Sequence, residues 1–428
     1  MKLPYLLFAD KKGKIFSHPY LRMSVQSLNN FTTPEIPELM PMPQGSTLFY
    51  LPGRSPVGFN PGTEDFETLK DFKNRQVFAV AAFTIPGILR LHNPAYTVNK
   101  KQILPLWAYT ACGFYQGKYY IAAKRIDRRL RQSPRFYDNK LVLKNVRFYL
   151  KKYPGNRLYK HLGNCALNYN CLAAKNLFLS RWEAPLPTAR FCNARCLGCL
   201  SQQESECQSS HQRINFKPSS LEITEVMLNH LQKAREPIVS FGQGCEGEPI
   251  TEAEIIAESI YKVRSKTKQG TINMNTNASI PAKIRLLSEA GIDSFRVSLN
   301  SPDKKFYDLY FRPHNYEFSD VIKSIETAKR FNKFVSINLF IFPGFSDSLS
   351  QEESLVKFIK RTSVDMIQWR NLNIDPQVYA KFLGRGKPSP RGVLNLINTI
   401  KKEFPKLKHG YFNIPKEMFY QASGYGAI

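Results

Sequence analysis

The stretch Phe191-Cys192-Asn193-Ala194-Arg195-Cys196-Leu197-Gly198-Cys199 sets three thiols at the spacing C-x3-C-x2-C. Three thiolates can hold three corners of a [4Fe–4S] cube and leave one iron open to a small molecule. The same spacing could supply three ligands of a structural zinc, with a fourth from elsewhere. Spacing alone does not choose between them, because a short cysteine motif takes its meaning from the elements around it.

The chain has 428 residues, room for two or three domains at ~150 residues each. An apolar content of 43% marks it as globular. Eight cysteines are too few for a disulfide scaffold, and five of them (Cys165, Cys171, Cys192, Cys196, Cys199) fall within 35 residues. That clustering points to metal work in a reducing cytosol. The apolar run Leu3 to Ala9 has no cleavage pattern. The run Val77 to Leu89 is broken by Pro86 and Gly87 and is too short to cross a bilayer. The expected protein is soluble and cytoplasmic, with no membrane partner.

The net charge of +27 is unevenly spread, with 27 Lys/Arg against 9 Asp/Glu in residues 1–180. Lys124 to Lys160 alone holds 13 basic residues against Asp127 and Asp138, interleaved with Phe136, Tyr137, Phe148, Tyr149, Tyr153 and Tyr159. A basic field with aromatic platforms is what a polyanion such as RNA needs. A generally charged surface would have raised the acids too.

Residues 1–175 read as a β-rich domain with a capping or substrate-binding role. Leu6–Ala9 and Ile15–Phe16 flank the turn Asp10–Gly13, and Leu106–Phe114 and Lys118–Ala123 flank Gln116-Gly117. The Pro- and Gly-rich stretches 34–43 and 51–61 read as loops. Cys165 and Cys171 bridge the two halves. With Cys207 or Cys245 they could form an auxiliary metal site, although no spacing defines one and free thiols are more often simply buried. For Cys245 packing is the favoured reading.

From residue 176 to 403 short apolar strands alternate with capped helices. Ser219-x-x-Glu222, Thr251-x-x-Glu254 and Ser350-x-x-Glu353 read as helix starts, and Gly291 as a stop. Six βα units in succession imply a parallel sheet with right-handed crossovers. Functional groups then belong at the C-terminal strand ends. Those ends carry Glu246-Gly247-Glu248-Pro249, Asn275-Thr276-Asn277, Ser298-Leu299-Asn300, Phe342 to Asp347 and Asn371 to Pro376. Singly, each is a turn or a cap; together, behind three cysteines, they form a polar rim. The tail, residues 404–428, shows no ligand pattern.

On Cys192-x3-Cys196-x2-Cys199, Glu246-Gly247-Glu248-Pro249 and the polar strand ends, the chain resembles the radical S-adenosylmethionine (SAM) superfamily over roughly residues 178–402. The resemblance implies a partial (βα)6 TIM-like barrel in which Cys192, Cys196 and Cys199 bind a [4Fe–4S] cluster whose fourth iron chelates SAM. It implies that Gly247 and Glu248 hold the methionyl amino group and that Asn275 and Asn277 line the SAM site. Ser298 and Asn300 match a segment near the SAM ribose or carboxylate, and Asn373 one near the ribose and adenine. It further implies a one-electron donor such as flavodoxin or ferredoxin, and a 5′-deoxyadenosyl radical that abstracts hydrogen from the substrate.

Two positions depart from the family pattern: Gly198 where an aromatic residue usually precedes the third cysteine, and Glu246 for the first glycine of Gly-Gly-Glu-Pro. The sequence around the Gly-Glu-Pro looks most like the branch that methylates adenine C2 in RNA. That branch needs a methyl-carrying cysteine after the barrel, and no cysteine follows Cys245. RNA is the favoured substrate, a protein, peptide or anionic small molecule the runner-up. A non-enzymatic, metal-stabilised nucleic-acid-binding protein is the remote alternative.

Overall fold

The structure is a computed structural model that describes residues 2–28, 30–100, 102–104, 106–129, 133–202, 209–383 and 389–421. Its N-terminal part is an antiparallel sheet of 11 strands. Both expected hairpins form. Phe8 pairs with Phe16 across the first, and Asp10 Oδ1 accepts from the Lys12 and Lys14 amides at 2.8 and 3.0 Å. Gln116 and Gly117 both take positive φ in the second, the primed turn that suits the twist of two-residue hairpins. The supposed loop 51–61 is instead largely a strand, Arg54–Asn60, buried along its first five residues. Its glycine is required by packing: a Cβ on Gly58 would lie 2.8 Å from Leu6 Cδ2.

The β-rich reading stops short of residue 175. Three helices, α1 (Asn139–Lys152), α2 (Arg157–Leu167) and α3 (Leu172–Phe178), intervene before the parallel sheet. Asp138 and Asn156 cap the first two through side-chain oxygens. Tyr149, Tyr153 and Tyr159 stack on one another with centroids 5.0–6.2 Å apart. They are therefore spent on helix packing and are not free platforms; Phe136 and Phe148 stay exposed.

Seven parallel strands follow in sequential order: β1 (Arg181–Pro185), β2 (Arg235–Phe241), β3 (Thr271–Thr276), β4 (Ser294–Leu299), β5 (Phe334–Ile341), β6 (Met366–Asn371) and β7 (Lys408–Gly410). The crossover helices between β1 and β6 are α4 (Ser220–Lys233), α5 (Ala253–Arg264), α6 (Pro281–Ala290), α7 (Lys304–Phe311), α8 (Phe318–Arg330) and α9 (Leu349–Thr362). After β6 come α10 (Pro376–Leu383) and α11 (Val393–Glu403). Alternate strand residues divide the labour. Ile272, Phe295, Ile337 and Ile367 join the core under the helices, while Asn275, Arg296, Asn338 and Arg370 face the barrel interior. This is the expected partial barrel, extended by one short strand from the tail.

The tail also reaches the interior. Asn413 Nδ2 donates to Glu183 Oε1 at 2.7 Å, and its Oδ1 accepts from Gln368 Nε2 at 2.8 Å. Two buried arginines join the antiparallel sheet to the end of β6. Arg54 bonds Asp375 at 2.6 Å with both side chains fully buried. Arg90 donates to the Leu372 carbonyl at 2.7 Å.

The Ser219–Glu222 capping box forms as expected, and Arg157 at the start of α2 adds three hydrogen bonds to the same carboxylate. They hold the Glu222 pKa down to about 2. A depressed carboxylate gives stability that is present above the unfolded pKa and lost as pH falls toward 2. Glu222→Gln should cost about 1.5–3 kcal/mol near neutrality, and the gap to wild type in urea midpoint should shrink progressively as the pH is lowered from about 4 toward 2. The other two expected starts shift: α5 begins after a short turn capped by Glu248 Oε1, and α9 is preceded by Ser348. Among the described residues no helix is long and apolar enough to cross a membrane.

Candidate functional site

The cysteine loop leaves β1 and crosses the C-terminal mouth of the barrel. It is held from two sides. On one, the Arg195 and Leu197 amides donate to the Phe311 and Tyr310 carbonyls at 2.9 and 3.0 Å, at the end of α7. On the other, Gly247 N donates to Ala189 O at 2.7 Å and Glu248 N to Phe191 O at 2.9 Å. A Cβ on Gly247 would stand 1.9 Å from the Phe191 carbonyl oxygen. Only glycine allows that approach. Gly247→Ala should therefore cost about 1–3 kcal/mol and lower the iron retained per chain, measured after anaerobic reconstitution.

Both departures from the family pattern have physical accounts. The Glu246 carboxylate, 4% exposed, accepts from the amides of Thr188, Ala189, Gly242 and Gln243 and from the Thr188 hydroxyl. It braces the turn after β2 against the lead-in to the cysteines, a task a glycine cannot perform. At Gly198 the missing side chain leaves room for Tyr310, whose hydroxyl lies 2.9 Å from where a Cβ would sit. An aromatic ring thus stands beside the third cysteine, supplied by α7.

Glu248 is also bound from below. It accepts from Thr276 Oγ1 at 2.5 Å, Asn277 N at 2.7 Å and Ile250 N at 3.0 Å, and burial raises its pKa to about 7. Asn277 Nδ2 in turn donates to Asn193 Oδ1 at 2.8 Å, inside the cysteine loop. Asn275 Nδ2 donates to the Gly242 carbonyl at 3.1 Å. The ends of β2 and β3 and the loop are thus one hydrogen-bonded unit.

A cavity of about 430 Å³ opens beneath this unit, lined by Cys192, Cys196 and Cys199 together with Gly247, Glu248, Asn275, Asn277, Ser298 and Asn373. Nine of the ten site residues read from sequence line this one cavity, and one does not. Asn300 does not line the cavity; its Nδ2 donates to Phe306 O at 2.9 Å and to the Tyr379 hydroxyl at 3.2 Å. A second cavity of about 590 Å³ lies on the outer side of the loop, with the three cysteines and Asn373 in both walls and Ile103 and Leu104 of the N-terminal part facing it.

Three residues of the inner cavity were not anticipated: Arg296 on β4, Asn338 on β5 and Arg370 on β6. Arg296 Nε, Asn338 Oδ1 and Asn373 Oδ1 are buried without a hydrogen-bond partner among the described residues. Burial, with Arg370 nearby, lowers the Arg296 pKa to about 10. Buried polar atoms are nearly always paired, so three orphans in one cavity mark a place for a polar ligand. The signal available in sequence was the period of two, a polar residue at every second position inside apolar strands.

The family model of the Radical SAM superfamily matches residues 186–359. Among solved structures, Streptococcus suis SuiB bound to S-adenosylmethionine is similar at 13% identity and TM-score 0.39, over 63% of this chain and 60% of that one. Methylornithine synthase (PylB) aligns at 16% identity and TM-score 0.39, over 63% and 74%. The HydG maturase from Carboxydothermus hydrogenoformans aligns at 12% and TM-score 0.38, over 63% and 70%. The chain spans 50–60% of the length of the SuiB chains. No curated protein matches it. The superfamily works with a [4Fe–4S] cluster and SAM. Residues 186–359 thus match the model of the Radical SAM superfamily.

Proposed function

We propose that the protein is a radical SAM enzyme acting on an anionic substrate, with Cys192, Cys196 and Cys199 as the cluster ligands. The single observation that carries this reading is the inner cavity, which the three thiols line together with the unpaired Arg296 Nε, Asn338 Oδ1 and Asn373 Oδ1. The thiols fit a cationic cluster. Burial and the neighbouring thiols and Glu248 push Cys192 up to about 12 and Cys196 well above the ordinary thiol range. Those are the penalties that bound iron would cancel. Arg213 lies 3.6 Å from Cys199 Sγ and can donate to a ligating thiolate.

When bound, the cluster supplies the electron that cleaves SAM to a 5′-deoxyadenosyl radical, drawn from a donor such as flavodoxin or ferredoxin. The chain's own part is placement. Gly247 and Glu248 stand at the methionyl end, Asn275, Asn277 and Ser298 line the middle, and Asn373 offers a free carbonyl oxygen to a ribose or adenine donor. Asn300 is left to position α7 and Tyr379. Tyr310 supplies the ring beside the cluster. Arg296 and Arg370 lie deeper, where a substrate anion would meet two guanidinium groups.

RNA remains the favoured source of that anion, supported by the basic face of α1, where Lys140, Lys144 and Lys151 are exposed. The domain reading keeps residues 1–175 as a cap, supported by the Arg54 and Arg90 contacts to the rim. Anaerobically reconstituted protein should release 5′-deoxyadenosine from SAM; a chain that holds only zinc and leaves SAM intact ends the reading. Arg296→Ala should leave uncoupled SAM cleavage near wild type while raising the substrate KM at least tenfold, on the loss of a charged hydrogen bond of about 1.5–3 kcal/mol. RNA binding should weaken steeply with salt, since phosphate contacts release counterions.

A further inference from the structure

We infer that His161, Cys165 and Cys245 hold a second metal ion, a tetrahedral zinc, at the seam between α2 and the turn that leads to Gly247 and Glu248. Their ligand atoms all lie within 4.8 Å of one another. His161 and Cys165 are one helical turn apart on α2, so both project from one face. His161 Nε2 stands 3.6 Å from Cys165 Sγ. A tetrahedral zinc with ordinary Zn–N and Zn–S bonds sets such a nitrogen and sulfur about 3.6 Å apart. The geometry also argues for a single ion. The thiolates of an iron–sulfur cube sit on separate irons, and so stand further apart than ligands sharing one metal.

The surroundings fit the same reading. Cys245 comes from the turn after β2, where its carbonyl accepts from Ile214 N at 2.8 Å. Cys171, the residue before α3, donates its amide to the Cys165 carbonyl at 3.0 Å. Cys171 and His211 line the same wall of the inner cavity as Cys165 and Cys245, and both are near enough to interact with the Cys165 thiol. One nitrogen and two soft thiolates suit zinc better than magnesium, calcium or manganese. Binding would release the Cys165 and Cys245 thiol protons and leave no redox change. The ion would clamp α2 onto the turn that leads to Gly247 and Glu248.

The inference does not depend on the radical SAM reading, and the test separates them. The full chain carrying Cys192→Ala, Cys196→Ala and Cys199→Ala, produced in zinc-supplied medium, should retain one zinc per chain by elemental analysis. With cobalt(II) in place of zinc it should show the visible bands of a tetrahedral thiolate site. Adding Cys165→Ser and Cys245→Ser should remove both. Because those changes could also unfold the chain, zinc added to the metal-stripped triple variant should raise its melting temperature by several degrees. The inference is overturned if the triple variant binds neither zinc nor cobalt, if zinc persists after Cys165 and Cys245 are replaced, or if those two cysteines prove to be a disulfide in the chain purified under reducing conditions.

Discussion

Cys196→Ala should yield a folded chain with no 5′-deoxyadenosine production and with iron reduced to background. Cys196 is the middle of the three proposed ligands, and burial and then Cys192 and Cys199 all raise its pKa. An open cluster needs three protein thiolates; two cannot hold it against solvent and reductant. The loop itself should survive, because it and its lead-in are fixed by backbone bonds to Tyr310, Phe311, Gly247 and Glu248 and by Asn277, none of which involves the cysteine side chain. A near-unchanged melting temperature of the iron-free chains, wild type against variant, would show that chemistry and not folding was lost.

Arg54→Ala should destabilise the protein by about 3–5 kcal/mol, the range for removing one partner of a buried ion pair. Arg54 lies between Tyr96 and Trp107, with its guanidinium carbon 5.2 and 5.3 Å from their ring centroids. Asp375 would lose a 2.6 Å partner and, among the described residues, keep the Leu104 and Gln377 amides. The lost contact also fixes the segment on which Asn373 faces both cavities. SAM affinity should therefore fall together with the denaturation midpoint. The double variant Arg54→Met, Asp375→Leu should recover much of the stability, because no charge is left buried alone. A single variant as stable as wild type would mean that the two parts of the chain do not depend on this joint.

The cysteine loop and the Gly-Glu-Pro turn were legible because cofactor chemistry demands particular residue types at fixed spacing. The barrel was legible because Ser219–Glu222, Gly291 and the alternating apolar segments are local signals. What was missed depends on partners distant in sequence. The strand Arg54–Asn60 looks like a loop until its pairing with Tyr96–Val98 and Asp65–Thr68 is known. Lys408–Gly410 is three residues long and becomes a strand only beside β6. Asn413 has no local motif at all; its place is set by Glu183 and Gln368. The aromatic residues of α1 and α2 misled for the opposite reason. Their mixture with lysines resembles a nucleic-acid surface, but Tyr149 and Tyr159 sit on the apolar side of amphipathic helices and stack inward.

Glu248 shows where reading residue by residue reaches its end. Its type and position were expected from sequence, but its carboxylate is turned to Thr276, Asn277 and Ile250. Its amide is committed as well, to the Phe191 carbonyl of the cysteine loop. Asn300 is similar: it lies where the rim was expected, yet its amide serves Phe306 and Tyr379.

The central claim is that Cys192, Cys196 and Cys199 hold a cluster with one iron open to SAM in the inner cavity. The most direct measurement is the electron paramagnetic resonance spectrum of the dithionite-reduced, reconstituted protein, recorded with and without SAM. The account predicts the signal of a reduced [4Fe–4S] cluster whose g values change when SAM is added. A cluster signal indifferent to saturating SAM, or no cluster signal from a chain that retains all three thiols, would contradict it.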